Sequence, residues 1–245
     1  MVIVAQFNTG SVSAISRVRR IMVLSTQGLI SSIDRLADHK EDFLRPKPKS
    51  RACQAAMRCE KCHLLPSNCI CAQIPSIRTR MRLTLILHAL EARRSTNTGH
   101  LAALALSNSR VEIHGRAGQA INDSFEVTAG MKPLFLFPDG SEELRPEMAN
   151  DGDVELIVPD ASWAQAVRMS RRIHGLSGVP HVRLPRVTPR KILRKSLEGR
   201  ISTFEAISHA VQILEGEEAG ASMLTLFDAY ASALLRERGR RSRFD

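Results

Sequence analysis

Aromatic residues are scarce in this chain: one Trp, one Tyr and eight Phe among 245 residues. Binding a single-stranded polymer through rows of stacked rings therefore has little material to work with. Long apolar runs are also missing. The longest, around Leu83 to Leu87, falls far short of the roughly 18 residues that a membrane-spanning helix requires. Cysteines number only five. An odd count with no secretory signal argues against a disulfide framework and for a reducing, cytoplasmic setting. With 43% hydrophobic residues, the chain has enough apolar content for one sizeable core plus an appendage.

What is abundant is positive charge, and it is unevenly placed. The formal net charge is +10. Between Arg168 and Arg200, ten bases (Arg168, Arg171, Arg172, Arg183, Arg186, Arg190, Lys191, Arg194, Lys195 and Arg200) stand against one acid, Glu198. Residues 119–155 reverse the balance, with nine acids against Lys132 and Arg145. A basic segment of this density suits a polyanion, although a solvated basic face accounts for the charge equally well. With so few rings available, a nucleic acid would be held by backbone and shape.

Residues 1–50 stand apart. They carry Arg17, Arg19 and Arg20 with no acid before Asp34, then a Pro/Lys stretch from Arg45 to Lys49. This reads as a flexible N-terminal extension: a basic arm, a transit peptide by composition, or chain ahead of a true start at Met22. A cysteine-rich segment, 51–75, follows, and then a main domain, 76–240. Within that domain Arg82 to His88 reads as a buried strand and Thr98 to Ser107 as a short apolar helix. Val111 to His114, Pro133 to Phe137 and Val154 to Val158 are further strands, with helices at 161–174, 202–215 and about 221–238. Such alternation predicts an α/β fold: a mainly parallel sheet with helices on both faces, binding ligands at the carboxyl ends of its strands.

Four cysteines form the pairs Cys59-x-x-Cys62 and Cys69-x-Cys71, separated by Pro66-Ser67-Asn68, which reverses the chain. Two close pairs joined by a turn let four thiolates converge on a tetrahedral Zn²⁺. A site closed by four thiolates leaves no position for a catalytic water, so the metal would be structural. The alternatives are a redox pair or reduced buried thiols. Cys53 is the leftover thiol, and His63 is a substitute ligand.

The sole Trp lies in Val158-Pro159-Asp160-Ala161-Ser162-Trp163, where a strand runs into a helix. Asp160 suits an N-cap, and Trp163, Ala166, Val167, Ser170 and Ile173 trace one helical face against the sheet. Arg168, Arg171 and Arg172 form a basic stripe on the other face. Further along, Ser202-x-x-Glu205 has the form of a capping box, and Thr98 could cap its own helix.

A strand followed by Asp-x-Ser-Trp, downstream of paired cysteines, resembles the signature of the DTW-domain family, with Ser162 where Thr is usual. Other stretches are similar to family segments in the same order. They are Ile86-Leu87-His88 with Glu91, Asn97-Thr98, Leu136-Phe137-Pro138, Leu193-Arg194-Lys195, and Ile201-Ser202-Thr203-Phe204-Glu205-Ala206. Together they run from Cys59 to about Leu235.

The resemblance implies a tRNA-uridine aminocarboxypropyltransferase on a SPOUT-like, knotted core. Such an enzyme moves the 3-amino-3-carboxypropyl group of S-adenosylmethionine to a uridine imide nitrogen, releasing methylthioadenosine. It implies catalytic roles for Asp160, Ser162 and Trp163, and donor binding by Pro138, Arg194, Ser202, Thr203 and Glu205. Arg168, Arg171, Arg172, Arg190, Lys191 and Lys195 would hold tRNA phosphates, and Cys59, Cys62, Cys69 and Cys71 would hold structural zinc. Backbone amides at the helix starts after Asp160 and Ile201 would receive the donor carboxylate. An ordinary Asp, with a pKa near 4, is a weak base for an imide. Proton acceptance by Asp160 therefore needs burial or the Trp163 indole to raise that value, and polar surroundings favour positioning instead. The expected corner places the carboxylate beside the indole with arginines flanking it. Rival readings are an RNA methyltransferase on the same scaffold, a non-catalytic zinc-containing nucleic-acid binding module, and a thiol redox protein.

Overall fold

A computed structural model describes residues 2–4, 58–92, 94, 97–116, 125–150, 152–187 and 200–239, and the structural statements below concern these. Most of the 1–50 extension, Cys53, Arg190, Lys191, Arg194 and Lys195 lie outside them. In chain order the elements are β1 (Val2–Val4), β2 (Arg82–His88), α1 (Ala89–Ala92), α2 (Gly99–Ala105), β3 (Ser109–His114) and β4 (Lys132–Leu136). They continue as β5 (Glu142–Glu143), β6 (Val154–Asp160), α3 (Trp163–Arg172), β7 (His181–Arg183), β8 (Arg200–Ser202), α4 (Thr203–Glu215) and α5 (Glu217–Glu237).

Six strands make one sheet in the order β3-β2-β6-β4-β7-β5. Every pairing in it is parallel, as the interleaving of strands with helices requires. The central strand β6 is buried along its whole length, which is why its sequence reads as a nearly continuous apolar run. Side chains alternate between two cores. Val154, Leu156 and Val158 join Leu83, Leu85, Leu134 and Leu136 in the core covered by α2, α4 and α5. Ile157, Ile86, Phe135 and Phe137 turn the other way, under Ala166 and Met169 of α3. Helices therefore cover both faces. Glu155, also on the α3 side, is fully buried but satisfied: it accepts from Thr84 Oγ1 at 2.5 Å, Arg110 Nη2 at 2.9 Å and the Thr128 N–H at 2.6 Å.

Two differences from the sequence reading have one cause. β5 and β7 span two and three residues, too short to display a period of two. The same holds for β1 and β8, which pair antiparallel with Val2 opposite Ser202. Val2–Val4, at the head of the 1–50 extension, is thus strand.

The cysteine segment is fastened to the last helix. Glu237 of α5, its side chain 3% exposed, accepts from the Leu65 N–H and from Arg58 Nη1 at 2.8 Å. The same Arg58 nitrogen donates to the His63 carbonyl at 2.8 Å. Replacing Glu237 with Ala leaves a half-buried guanidinium without its counter-charge and the Leu65 N–H without its acceptor. The expected loss is about 2–4 kcal/mol of stability, read by urea unfolding. A change below about 0.5 kcal/mol would show that the segment is held by its metal and apolar contacts alone.

Candidate active site and metal centre

The cysteine segment folds as the spacing predicts. Pro66–Asn68 forms a 3₁₀ turn between the pairs, and Cys71–Gln73 forms another. The His63 N–H reaches the Cys59 carbonyl at 2.9 Å, and the left-handed conformation of His63, φ 60°, then turns the chain back so that the Leu64 carbonyl accepts the Cys59 N–H at 2.8 Å. The four sulfurs of Cys59, Cys62, Cys69 and Cys71 lie within 4.8 Å of one another, with Cys59–Cys71 at 3.5 Å and Cys62–Cys69 at 3.7 Å. Zn–S bonds of about 2.3 Å in a tetrahedron place sulfurs roughly 3.8 Å apart, so the donor set fits zinc. Electrostatics agree. The Cys62 and Lys61 backbone amides and the Cys71 thiol lower the Cys59 thiol to about 6. Desolvation and the neighbouring sulfurs push Cys71 up to about 12. Four thiolates in this volume need a cation among them.

The second site lies at the carboxyl edge of the sheet. β6 delivers Asp160 there in register with Leu87 of β2, and the side chain is 1% exposed. Its Oδ1 accepts from Thr203 Oγ1 at 2.9 Å and its Oδ2 from Asn97 Nδ2 at 2.7 Å. Asn97 in turn accepts the His100 N–H at 3.3 Å, so Asn97 rather than Thr98 caps α2. Gly99 allows the close approach, because a Cβ there would stand 2.3 Å from Asp160 Oδ2. Burial raises the Asp160 pKa above the usual carboxylate value, while the bonds from Thr203 and Asn97 pull it back.

Three details of the expected corner are corrected. Asp160 does not cap α3: β6 pairs through Asp160, so the helix starts later, with Ser162 as N-cap and its N–H donating to Gln165 Oε1 at 2.8 Å. The carboxylate is not beside the indole. It shares the strand parity of Val154, Leu156 and Val158 and faces α2 and α4, whereas Trp163 packs into the core under α3, stacked on Phe137 at 4.9 Å. Nor do the arginines flank it, since Arg168, Arg171 and Arg172 are exposed on α3, on the other side of the sheet. The face traced by Trp163, Ala166, Val167 and Ile173 does pack against the sheet as expected.

A small pocket opens at the carboxyl ends of β4 and β7, beside the start of α4. Leu136, Phe137 and Pro138 form one wall, Ile201 and Ala206 another, and among the described residues Arg183 is the only charged one in the lining. Ser202, Thr203 and Glu205 sit between Ile201 and the first turns of α4. Ser202 and Glu205 complete the capping box, with Ser202 N–H to Glu205 Oε2 at 2.8 Å and Glu205 N–H to Ser202 Oγ at 3.2 Å. At the far end of β2, His88 Nδ1 accepts the Leu90 N–H at 3.2 Å and lies 3.4 Å from Gln165 Nε2. His88 is opposite His114 in register, and burial, then His114, lowers its pKa. Arg194, the expected donor-binding residue, lies outside the described residues.

Sequence reasoning missed Arg183 as a pocket residue and Asn97 as a partner of Asp160. Neither carried a local signal: Arg183 was one base in a basic run, and Asn97 reaches Asp160 across 63 positions.

No solved structure matches this chain. Among the described residues no helix is long and apolar enough to cross a membrane. Residues 56–235, which span both the cysteine cluster and the sheet with its Asp160 corner, match the family described as DTW domain. The chain therefore belongs to the DTW-domain family, which is linked to transferases that modify tRNA.

Proposed function

We propose that this protein transfers the 3-amino-3-carboxypropyl group of S-adenosylmethionine to the imide nitrogen of an unpaired uridine in tRNA. The carbon–nitrogen bond forms as the carbon–sulfur bond breaks. The electron pair stays on sulfur, neutral methylthioadenosine leaves, and the imide proton passes to a base or to solvent. The observation that carries this reading is the apolar pocket at the carboxyl edge of the sheet, whose wall residue Ile201 stands two positions before Thr203, the hydroxyl partner of Asp160, in a chain of this family. Ligands of open parallel sheets bind at that edge.

The residues divide the work as follows. Pro138, Phe137, Ile201 and Ala206 enclose the nucleoside and thioether part of the donor, and Trp163 braces Phe137 from behind. Asp160 is a positioning residue. Both its oxygens are engaged, so it fixes Thr203 and the start of α4, and with them the pocket wall. Arg194 would grip the donor, and Arg190, Lys191 and Lys195 would join the residues that meet tRNA phosphates. The exposed Arg168, Arg171 and Arg172 would meet tRNA phosphates, making binding fall with salt. Because a sulfonium offers three carbons, the product depends on which one stands in line with the nucleophile at about 3–3.5 Å.

Incubating the full chain with unmodified tRNA and S-adenosylmethionine, then weighing the digested nucleosides, tests the reading. An aminocarboxypropyl increment on uridine is the expected result. A methyl increment would make the protein a methyltransferase on this scaffold, and no increment would leave a zinc-containing binding module.

A further inference from the structure

We infer that Arg183 anchors the carboxylate of the donor's amino-acid end, a role that rests on the proposed function and makes it more specific. Among the described residues the pocket is otherwise lined by aliphatic, aromatic and proline side chains, so Arg183 is the charged group there that can meet the anionic end of an amphiphilic ligand. Arg183 is the last residue of β7, and its guanidinium is held from behind. Nη1 donates to the Gly140 carbonyl at 3.0 Å and to the Ser141 carbonyl at 3.3 Å. Those carbonyls come close because the turn after Pro138 lies against β7, where a Cβ on Gly140 would stand 2.3 Å from the Val182 carbonyl carbon. Glu143 makes a loose ion pair with Nη2 at 3.9 Å, and both side chains are exposed, so water screens the pair and an incoming carboxylate can replace it. The fork is thus pinned at one nitrogen while Nη2 can turn to a carboxylate in the pocket.

The rival place for that carboxylate is the start of α4, which the sequence favours. There the Ser202 and Glu205 amides are already engaged in the capping box, and the Glu205 carboxylate occupies the position an incoming anion would take. A second carboxylate would meet like charge. Anchoring at Arg183 also has a chemical consequence. Fixing the amino-acid end orients the propyl carbon, leaving the methyl to the apolar wall, so the anchor helps choose which group is transferred.

Titration calorimetry on the full chain separates the possibilities using two ligands. S-adenosylhomocysteine carries the amino-acid end, and methylthioadenosine lacks it. Arg183→Met is expected to weaken S-adenosylhomocysteine about 10- to 100-fold, the range of a charge-assisted hydrogen bond, and to change methylthioadenosine less than about twofold. Arg183→Lys, which keeps the charge and loses the fork, should fall between. Retained methylthioadenosine binding also shows that the pocket is intact in the variant. Parallel loss of both ligands would overturn the inference, since Arg183 would then only support the wall. Unchanged S-adenosylhomocysteine binding would overturn it too, and weaker tRNA binding in the same variant would assign Arg183 to an RNA phosphate. If the wild-type chain binds neither nucleoside, the proposed function itself fails, and this inference with it.

Discussion

Stripping zinc from the four-cysteine cluster is expected to lower the melting temperature by more than about 10 °C, the largest effect on stability that the fold allows. Cys62 is fully buried, and Leu64 and Ile70 belong to the same core as α4 and α5. The segment is therefore a wall of the domain rather than a separate module. Without the metal, its thiols face one another and a few backbone amides, while Leu64 and Ile70 lose the covalent frame that holds them against the helices. At about 2–4 °C per kcal/mol for a chain of this size, a loss of about 4 kcal/mol gives a shift of this order. Elemental analysis should find one zinc per chain. Cys62→Ser, heated alongside the chelated wild type, should melt at a similarly depressed temperature. An unchanged melting curve after complete chelation would remove the metal from the account of the fold and revive the redox reading of the cysteines.

The second large effect is on rate. Asp160→Asn should lower product formation by about 100-fold or more, the lower end of what a displaced catalytic arrangement costs, while tRNA affinity stays within about twofold. The amide keeps the shape of the carboxylate but replaces one acceptor oxygen with a donor: with its oxygen on Asn97 Nδ2, its NH2 faces Thr203 Oγ1, which must turn from donor to acceptor. Two bonds to a charged carboxylate give way to weaker neutral ones, and the start of α4 shifts against the pocket. A pH dependence accompanies this. Burial raises the Asp160 pKa in the folded chain, so the folded state binds the proton more readily than the unfolded state. The stabilisation from that proton is complete below the unfolded value and is lost as pH rises through the folded one. The acid limb of the rate profile should therefore lie above that of a surface aspartate and vanish in Asp160→Asn. Equal losses of rate and tRNA affinity would instead make Asp160 a structural brace with no tie to chemistry.

How much of this could be read in the sequence differs between the two sites. The metal cluster was fully legible, because ligand spacing and a reversing turn are local and four thiols at such spacing have few other uses. The capping box of α4 was legible for the same reason: Ser202 and Glu205 are three residues apart. The Asp160 corner was located but turned the wrong way. In an amphipathic strand, alternation would announce which residues face which layer. β6 is buried on both sides, so its sequence carries no such mark, and the direction of its last side chain cannot be counted off.

By itself, then, the sequence determined a parallel α/β domain, a cysteine cluster ahead of it and an acid at the end of a central strand. Periodicity, local spacing and turn chemistry act within a few residues. Only the tertiary structure decided that Asp160 looks toward α2 and α4 rather than toward Trp163 and the arginines of α3. The same holds for Glu237, which secures Leu65 across 172 positions, and for Arg183, the charged residue among the described lining of the pocket. Such contacts depend on sheet order and helix docking, which distant parts of the chain settle together as the core closes.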